Sequence, residues 1–130
     1  MSGGRVLVMD YAWPDLSIES AILAEAGYEL VSVSDDGRPA IDLVDGCIAI
    51  MTCWALVPAD LLQAGRDLRM VARFGVGTDN IDVAEARRLG LEVTYVPDYC
   101  MEEVSDHALA LALAWFRGIV HLDRLIRAGD

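Results

Sequence analysis

The residues best suited to chemistry lie in Met70–Asp82, MVARFGVGTDNID. Gly75-Val76-Gly77 closes a short apolar run. Two glycines one residue apart permit φ > 0 and leave no side chain over the peptide N–H groups. At the carboxyl end of a parallel strand, such a turn can point amides at an anion. Asp82 and Glu85 then have capping-box spacing, with Asp82 as N-cap and Glu85 reaching back to it. The unit reads as strand, glycine turn and helix, with an anion-sized gap between them.

Gly75-x-Gly77 also looks like the opening of a dinucleotide fingerprint, and Asp98 lies at about the distance of its ribose-binding acid. Asn80 occupies the third glycine position, where a side chain holds the helix off the sheet. A tight turn without a dinucleotide is the better reading of the pattern.

Three further strand tips join this turn: Asp10-Tyr11-Ala12-Trp13, Met51-Thr52-Cys53-Trp54 and Pro97-Asp98-Tyr99-Cys100. They offer amide donors, a hydroxyl, a phenol and two indoles, which suits a small carboxylate or carbonyl compound. No nucleophile–base pair is evident. Trp13 and Trp54 are expected to pack within loops. Tyr99 is evenly balanced between a ligand contact and a merely wet hydroxyl. His107 reads as a satisfied helix residue and not a base. Arg73 is expected to neutralise Asp98 or Glu102. Asp79, Asn80 and Asp82 are turn and cap residues first.

The elements that must position these tips alternate along the chain. Strands are expected at Arg5–Met9, Tyr28–Val33, Cys47–Met51, Met70–Phe74 and Glu92–Val96, the third being unbroken apolar and central. Helices are expected at Leu16–Ala26, with Ile18, Ile22, Leu23 and Ala26 on one side, and at Pro58–Ala64 and Asp82–Leu89. Asp35-Asp36-Gly37 reads as a turn and Pro39–Val44 as a short helix or turn. Strand–helix alternation means a five-stranded, doubly wound parallel sheet, residues 1–100, with helices on both faces. Residues 101–130 read as one long helix and a crossover. Ala108–Phe116 is apolar on every side and should be buried all round, against more than this sheet can supply.

The 130 residues suffice for a domain with a real core, and 55% hydrophobic content makes it globular. The apolar runs are too short to span a bilayer, and MSGGRVLVMD lacks a signal-peptide core. The first four residues are expected outside the fold. A net charge of −11 argues against nucleic acid and anionic membranes as partners. All ten basic residues are arginine, which excludes mechanisms that need a lysine. Cys47, Cys53 and Cys100 form no CxxC and read as reduced cytoplasmic thiols, and no Cys/His cluster suggests a metal. A phosphoacceptor receiver would need an Asp where Met51-Thr52-Cys53 stands. A flavodoxin would need a Ser/Thr-rich loop where Tyr11–Asp15 stands.

ARFGVGTDNIDVAEARRLGLEVTYVPDYCMEEVSDHALALALA resembles the substrate-domain signature of the D-isomer-specific 2-hydroxyacid dehydrogenases. The opening VLVMDYAWPDLSIES is similar to their phosphoglycerate dehydrogenase-like and C-terminal-binding-protein-like branch. The resemblance implies a flavodoxin-like substrate domain, with a separate nucleotide-binding domain inserted into it in the family. It implies NAD(H)-dependent interconversion of 2-hydroxy and 2-oxo acids by a cytoplasmic dimer. By the same resemblance the amides of Val76 and Gly77, with Gly75, would hold the substrate carboxylate. Thr52 and Tyr99 would line the pocket, and Val76 would lie where the nicotinamide end approaches. The family's catalytic Arg, Glu and His match no position here, and His107 does not fill that role. The chain is therefore expected to be the substrate half of a dehydrogenase, inactive alone, without tight NAD binding, and self-associating through Ala108–Ile126. The alternative is a non-catalytic carboxylate-binding or corepressor-like module.

Overall fold

Val6, Leu7 and Val8 are all buried, as successive residues must be in a strand covered on both faces. They belong to β1 (Arg5–Val8) of the computed structural model, which describes residues 3–129. β1 pairs in parallel with β2 (Glu29–Ser32) on one side and β3 (Cys47–Thr52) on the other. β4 (Met70–Arg73) and β5 (Glu92–Thr94) complete a five-stranded sheet of order 2-1-3-4-5, so β3 is indeed central. That is the flavodoxin-like, doubly wound order. Parallel neighbours require crossovers. α1 (Ser17–Glu25), α2 (Val33–Asp36), α3 (Ala40–Leu43), α4 (Ala59–Ala64) and α5 (Val83–Arg88) supply them.

The register builds the core. Leu7 stands opposite Val31 and Ile50, Ile50 opposite Val71, and Val71 opposite Val93. This row meets Leu43, Leu61, Leu62 and Ala86 from α3, α4 and α5 in one buried cluster.

Several expected boundaries move. The second strand ends at Ser32, whose hydroxyl accepts the Asp35 N–H at 3.4 Å, so Asp35 and Asp36 sit in a helical turn closed by Gly37 at φ 76°. Ile18 and Ile22 of α1 are exposed, against expectation; Leu16, just before the helix, is the buried anchor. Met1 and Ser2 lie outside the described residues, but Gly4 belongs to the fold: its carbonyl accepts the Glu29 N–H at 3.3 Å.

The chain divides after Pro97 into two compact units. The second contains α6 (Met101–Phe116) and α7 (Ile119–Ala128), in place of one long helix. Gly118, left-handed at φ 62°, separates them. Neither helix has a buried residue, so the expected burial of Ala108–Phe116 is not met within this chain. Two helices alone make no enclosed layer for an element that is apolar all round. Among the described residues no helix is long and apolar enough to cross a membrane.

Candidate functional site

The site grows from the carboxyl ends of β1, β3 and β4. Thr52 and Arg73 are register partners, and the Phe74 N–H donates to the Thr52 carbonyl at 2.8 Å. The chain then leaves the sheet at Gly75, which is buried and whose carbonyl accepts the Val96 N–H at 3.0 Å. Val76 and Gly77 are exposed. Among the described residues their amides have no hydrogen-bond acceptor.

Neither Gly75 nor Gly77 has positive φ, which corrects the reason for their identity. A Cβ at Gly75 would run into the end of the Arg73 side chain, which would have to shift. At Gly77 a Cβ would come 3.3 Å from Asp79 Oδ2, a contact that a flexible side chain can relieve. The Arg73 Nε donates to Asn80 Oδ1 at 3.1 Å. Among the described residues of its own unit Arg73 forms no ion pair, and its expected acidic partners, Asp98 and Glu102, belong to the second unit.

The loop after β3 is built around Asp10. Its Oδ1 accepts the Cys53 N–H at 2.7 Å, and its Oδ2 accepts those of Trp54 at 2.7 Å and Ala55 at 3.0 Å. The Thr52 hydroxyl lies 3.1 Å from Asp10 Oδ1 and 2.8 Å from the Ala55 carbonyl oxygen; its single proton serves one at a time. Burial alone would raise the Asp10 carboxyl. The Cys53 and Trp54 amides, the Thr52 hydroxyl and the Ala55 amide outweigh it and hold the group below its usual range. Burial, and then the Asp10 charge, push the neighbouring Cys53 thiol up.

Asn80 ties this loop to the glycine turn. Its Nδ2 donates to the Ala55 carbonyl at 2.9 Å, and its own carbonyl accepts the Val57 N–H at 2.8 Å. The Asp82 N–H donates to the Val57 carbonyl at 3.0 Å, which closes a bridge between Val57 and Ile81.

Thr52, Gly75, Val76 and Gly77 are thus gathered in the first unit, while Tyr99 is an exposed residue of the second. Thr52 is 0% exposed, so it supports the loop from beneath and does not line a wall. Trp13 packs edge-on against Phe74, ring centroids 4.9 Å apart, as expected of a loop residue. Trp54 does not pack: it is 64% exposed. His107 is exposed on α6.

The start of α5 does not fit a dinucleotide's pyrophosphate. Asp82 caps α5 with its own carboxylate, Oδ1 accepting the Glu85 N–H at 2.9 Å, so a pyrophosphate at that helix start would meet a negative charge. The capping box is only half made. The Glu85 carboxylate accepts from Gln63 Nε2 and from Arg88, and does not return to Asp82. Spacing did not reveal Asp10 and Asn80 as organisers. The partners of Asp10 lie 42 to 45 residues away, and the only local signal was an acid at a strand tip.

Residues 6–119 match the catalytic domain of the D-isomer specific 2-hydroxyacid dehydrogenases. A glyoxylate reductase of Korarchaeum cryptofilum is 36% identical over 110 residues, covering 81% of this chain and 33% of that protein. One from Pyrococcus furiosus is 49% identical over 74 residues, or 57% of this chain and 22% of that protein. The solved NADPH-dependent glyoxylate/hydroxypyruvate reductase of Sinorhizobium meliloti, in complex with citrate, is 30% identical with a TM-score of 0.77, covering 99% of this chain and 39% of that one. The chain spans about a third of the length of the curated relatives it matches.

Proposed function

The chain belongs to the D-isomer specific 2-hydroxyacid dehydrogenases through their catalytic domain, and from that premise we propose that it is the substrate-binding half of an oxidoreductase acting on small 2-hydroxy and 2-oxo acids. One observation carries the reading: the exposed amides of Val76 and Gly77, with no acceptor among the described residues. Two adjacent N–H groups match the two oxygens of a carboxylate, and charge-assisted bonds of this kind are the strong ones. The −11 net charge disfavours anions over the surface at large, so recognition must be local. Of the nearby carboxylates, Asp10 is held by the Cys53, Trp54 and Ala55 amides and Asp82 caps α5, whereas that of Asp79 stands beside Gly77 and is the local charge an incoming acid meets.

In this reading the acid's carboxylate sits on Val76 and Gly77, and Gly75 keeps the turn close to Arg73. The substrate class follows the glyoxylate and hydroxypyruvate named for the relatives. A nicotinamide cofactor, when bound, supplies the hydride. The start of α5 does not fit the pyrophosphate, and no proton or hydride step is assigned to the residues of this chain. The chain alone is therefore expected to turn over no substrate and to bind NAD weakly. The apolar faces of α6 and α7, within Ala108–Ile126, are assigned to self-association.

Calorimetric titration with glyoxylate, with and without NADH, tests the reading. The expected result is saturable binding, Kd on the order of 1–10 mM for a site lacking its other half, indifferent to NADH and without NADH oxidation. Absent glyoxylate binding would overturn the carboxylate site, and NADH consumption above a protein-free blank would overturn the half-site reading.

A further inference from the structure

Three successive peptide N–H groups, those of Cys53, Trp54 and Ala55, converge on one carboxylate. Parallel N–H dipoles repel one another, and an oxygen acceptor at their focus, best of all an anion, stabilises the arrangement. Asp10 is that anion, delivered from the end of a different strand. The consequence extends beyond the loop. The Ala55 N–H is tied to Asp10, and the carbonyl of the same residue accepts from Asn80 Nδ2 and lies 2.8 Å from the Thr52 hydroxyl. Asn80 in turn orients Arg73, whose guanidinium covers Gly75.

We propose that Asp10 is a positioning residue for the carboxylate site: it gathers the loop after β3 and, through Ala55 and Asn80, sets the glycine turn without touching the bound acid. The proposal rests on Val76 and Gly77 being that site. Asp10 differs from an ordinary structural acid in its reach, because the bonds run continuously from the tip of β1 to the turn after β4. An asparagine at position 10 has nearly the same shape but only one acceptor oxygen. Its NH₂ would face amide donors, so the three convergent N–H groups lose their common acceptor.

The test uses the full isotope-labelled chain and its Asp10→Asn variant. NMR follows the amides of Cys53, Trp54 and Ala55, the Asn80 side-chain NH₂, and the Val76 and Gly77 amides during glyoxylate titration. In the variant, exchange of the three loop amides should rise about tenfold, the Asn80 NH₂ signals should shift, and glyoxylate should bind about fivefold more weakly. Methyl signals of Leu7, Ile50 and Val71 should stay in place. Loop amides that open while Asn80, Gly77 and the glyoxylate Kd keep wild-type values would overturn the proposal, leaving Asp10 a loop stabiliser only. If Asp10→Asn does not fold, Asp10→Glu keeps the charge and displaces it by one methylene; displaced loop amides with an unchanged Kd then overturn it equally. If wild type shows no glyoxylate response at Val76 or Gly77, the functional reading fails by itself. The proposal then falls with it, and the Asn80 signals show which link failed: movement in the variant means that the bonds from Asp10 reach the turn and only the site is wrong, and stillness means that both are.

Discussion

Gly75 shows how a residue can be conspicuous in a sequence for a reason the sequence does not give. Two glycines one residue apart suggest left-handed backbone, yet Gly75 and Gly77 avoid it. A Cβ at either would meet only the far end of a flexible side chain, Arg73 at Gly75 and Asp79 at Gly77. Gly75→Ala and Gly77→Ala should therefore each cost less than about 1 kcal/mol, below the usual range for overpacking, read from the urea midpoint. A loss of about 3 kcal/mol at either would contradict this. Glu85 makes the second residue-level prediction. The Arg88 guanidinium, then the Gln63 amide, hold its carboxyl down from 4.5 to about 2. A depressed carboxyl contributes stability above its unfolded pKa and loses it as pH falls through the folded one. The Glu85 contribution should thus be complete above about 4.5 and fade toward about 2. Urea midpoints across that window should fall less steeply for Glu85→Gln; an unchanged slope would refute the pairing. Asp10 shares the sign of this dependence, since its donors also hold it low.

At the scale of elements, the five strands and their parallel pairing were legible because short apolar or alternating runs are separated by helical stretches and by turn residues. β3 could be placed centrally because it is unbroken. The ends were not legible. Ser32 caps a helix that begins where its strand stops, and an N-cap residue belongs to both patterns. Ile18 and Ile22 share one side of α1 and stay exposed, because a periodic apolar stripe does not say whether a partner exists to cover it. Asp82 was read correctly as a cap: Asp82→Ala should cost about 1 kcal/mol, measured by thermal unfolding, whereas a loss near zero would mean that α5 is held by packing alone. Leu62 of α4 is fully buried beside Leu7 and Ile50, and Leu62→Ala should cost about 2–5 kcal/mol. A loss below that range would place the core elsewhere. The bonds from Asp10 through Asn80 were illegible for a different cause. They join residues far apart in sequence, and only the sheet order makes them neighbours.

For the molecule as a whole, family membership agrees with a parallel sheet that ends in the Gly75–Gly77 turn. It also bears on α6 and α7, which carry exposed Leu109, Leu113, Trp115, Phe116 and Ile126. Apolar surface of this extent favours association. Light scattering should report a mass that rises with concentration, and Leu111→Glu with Trp115→Glu should return it to that of a monomer. A wild-type monomer throughout would remove that role. The central claim is narrower: a small acid is held by the backbone at Val76 and Gly77. Amide-resolved NMR titration of the wild-type chain with glyoxylate tests it most directly. The account predicts saturable shifts concentrated on those two N–H groups. Shifts absent there, or spread over the arginines of the surface, would contradict it.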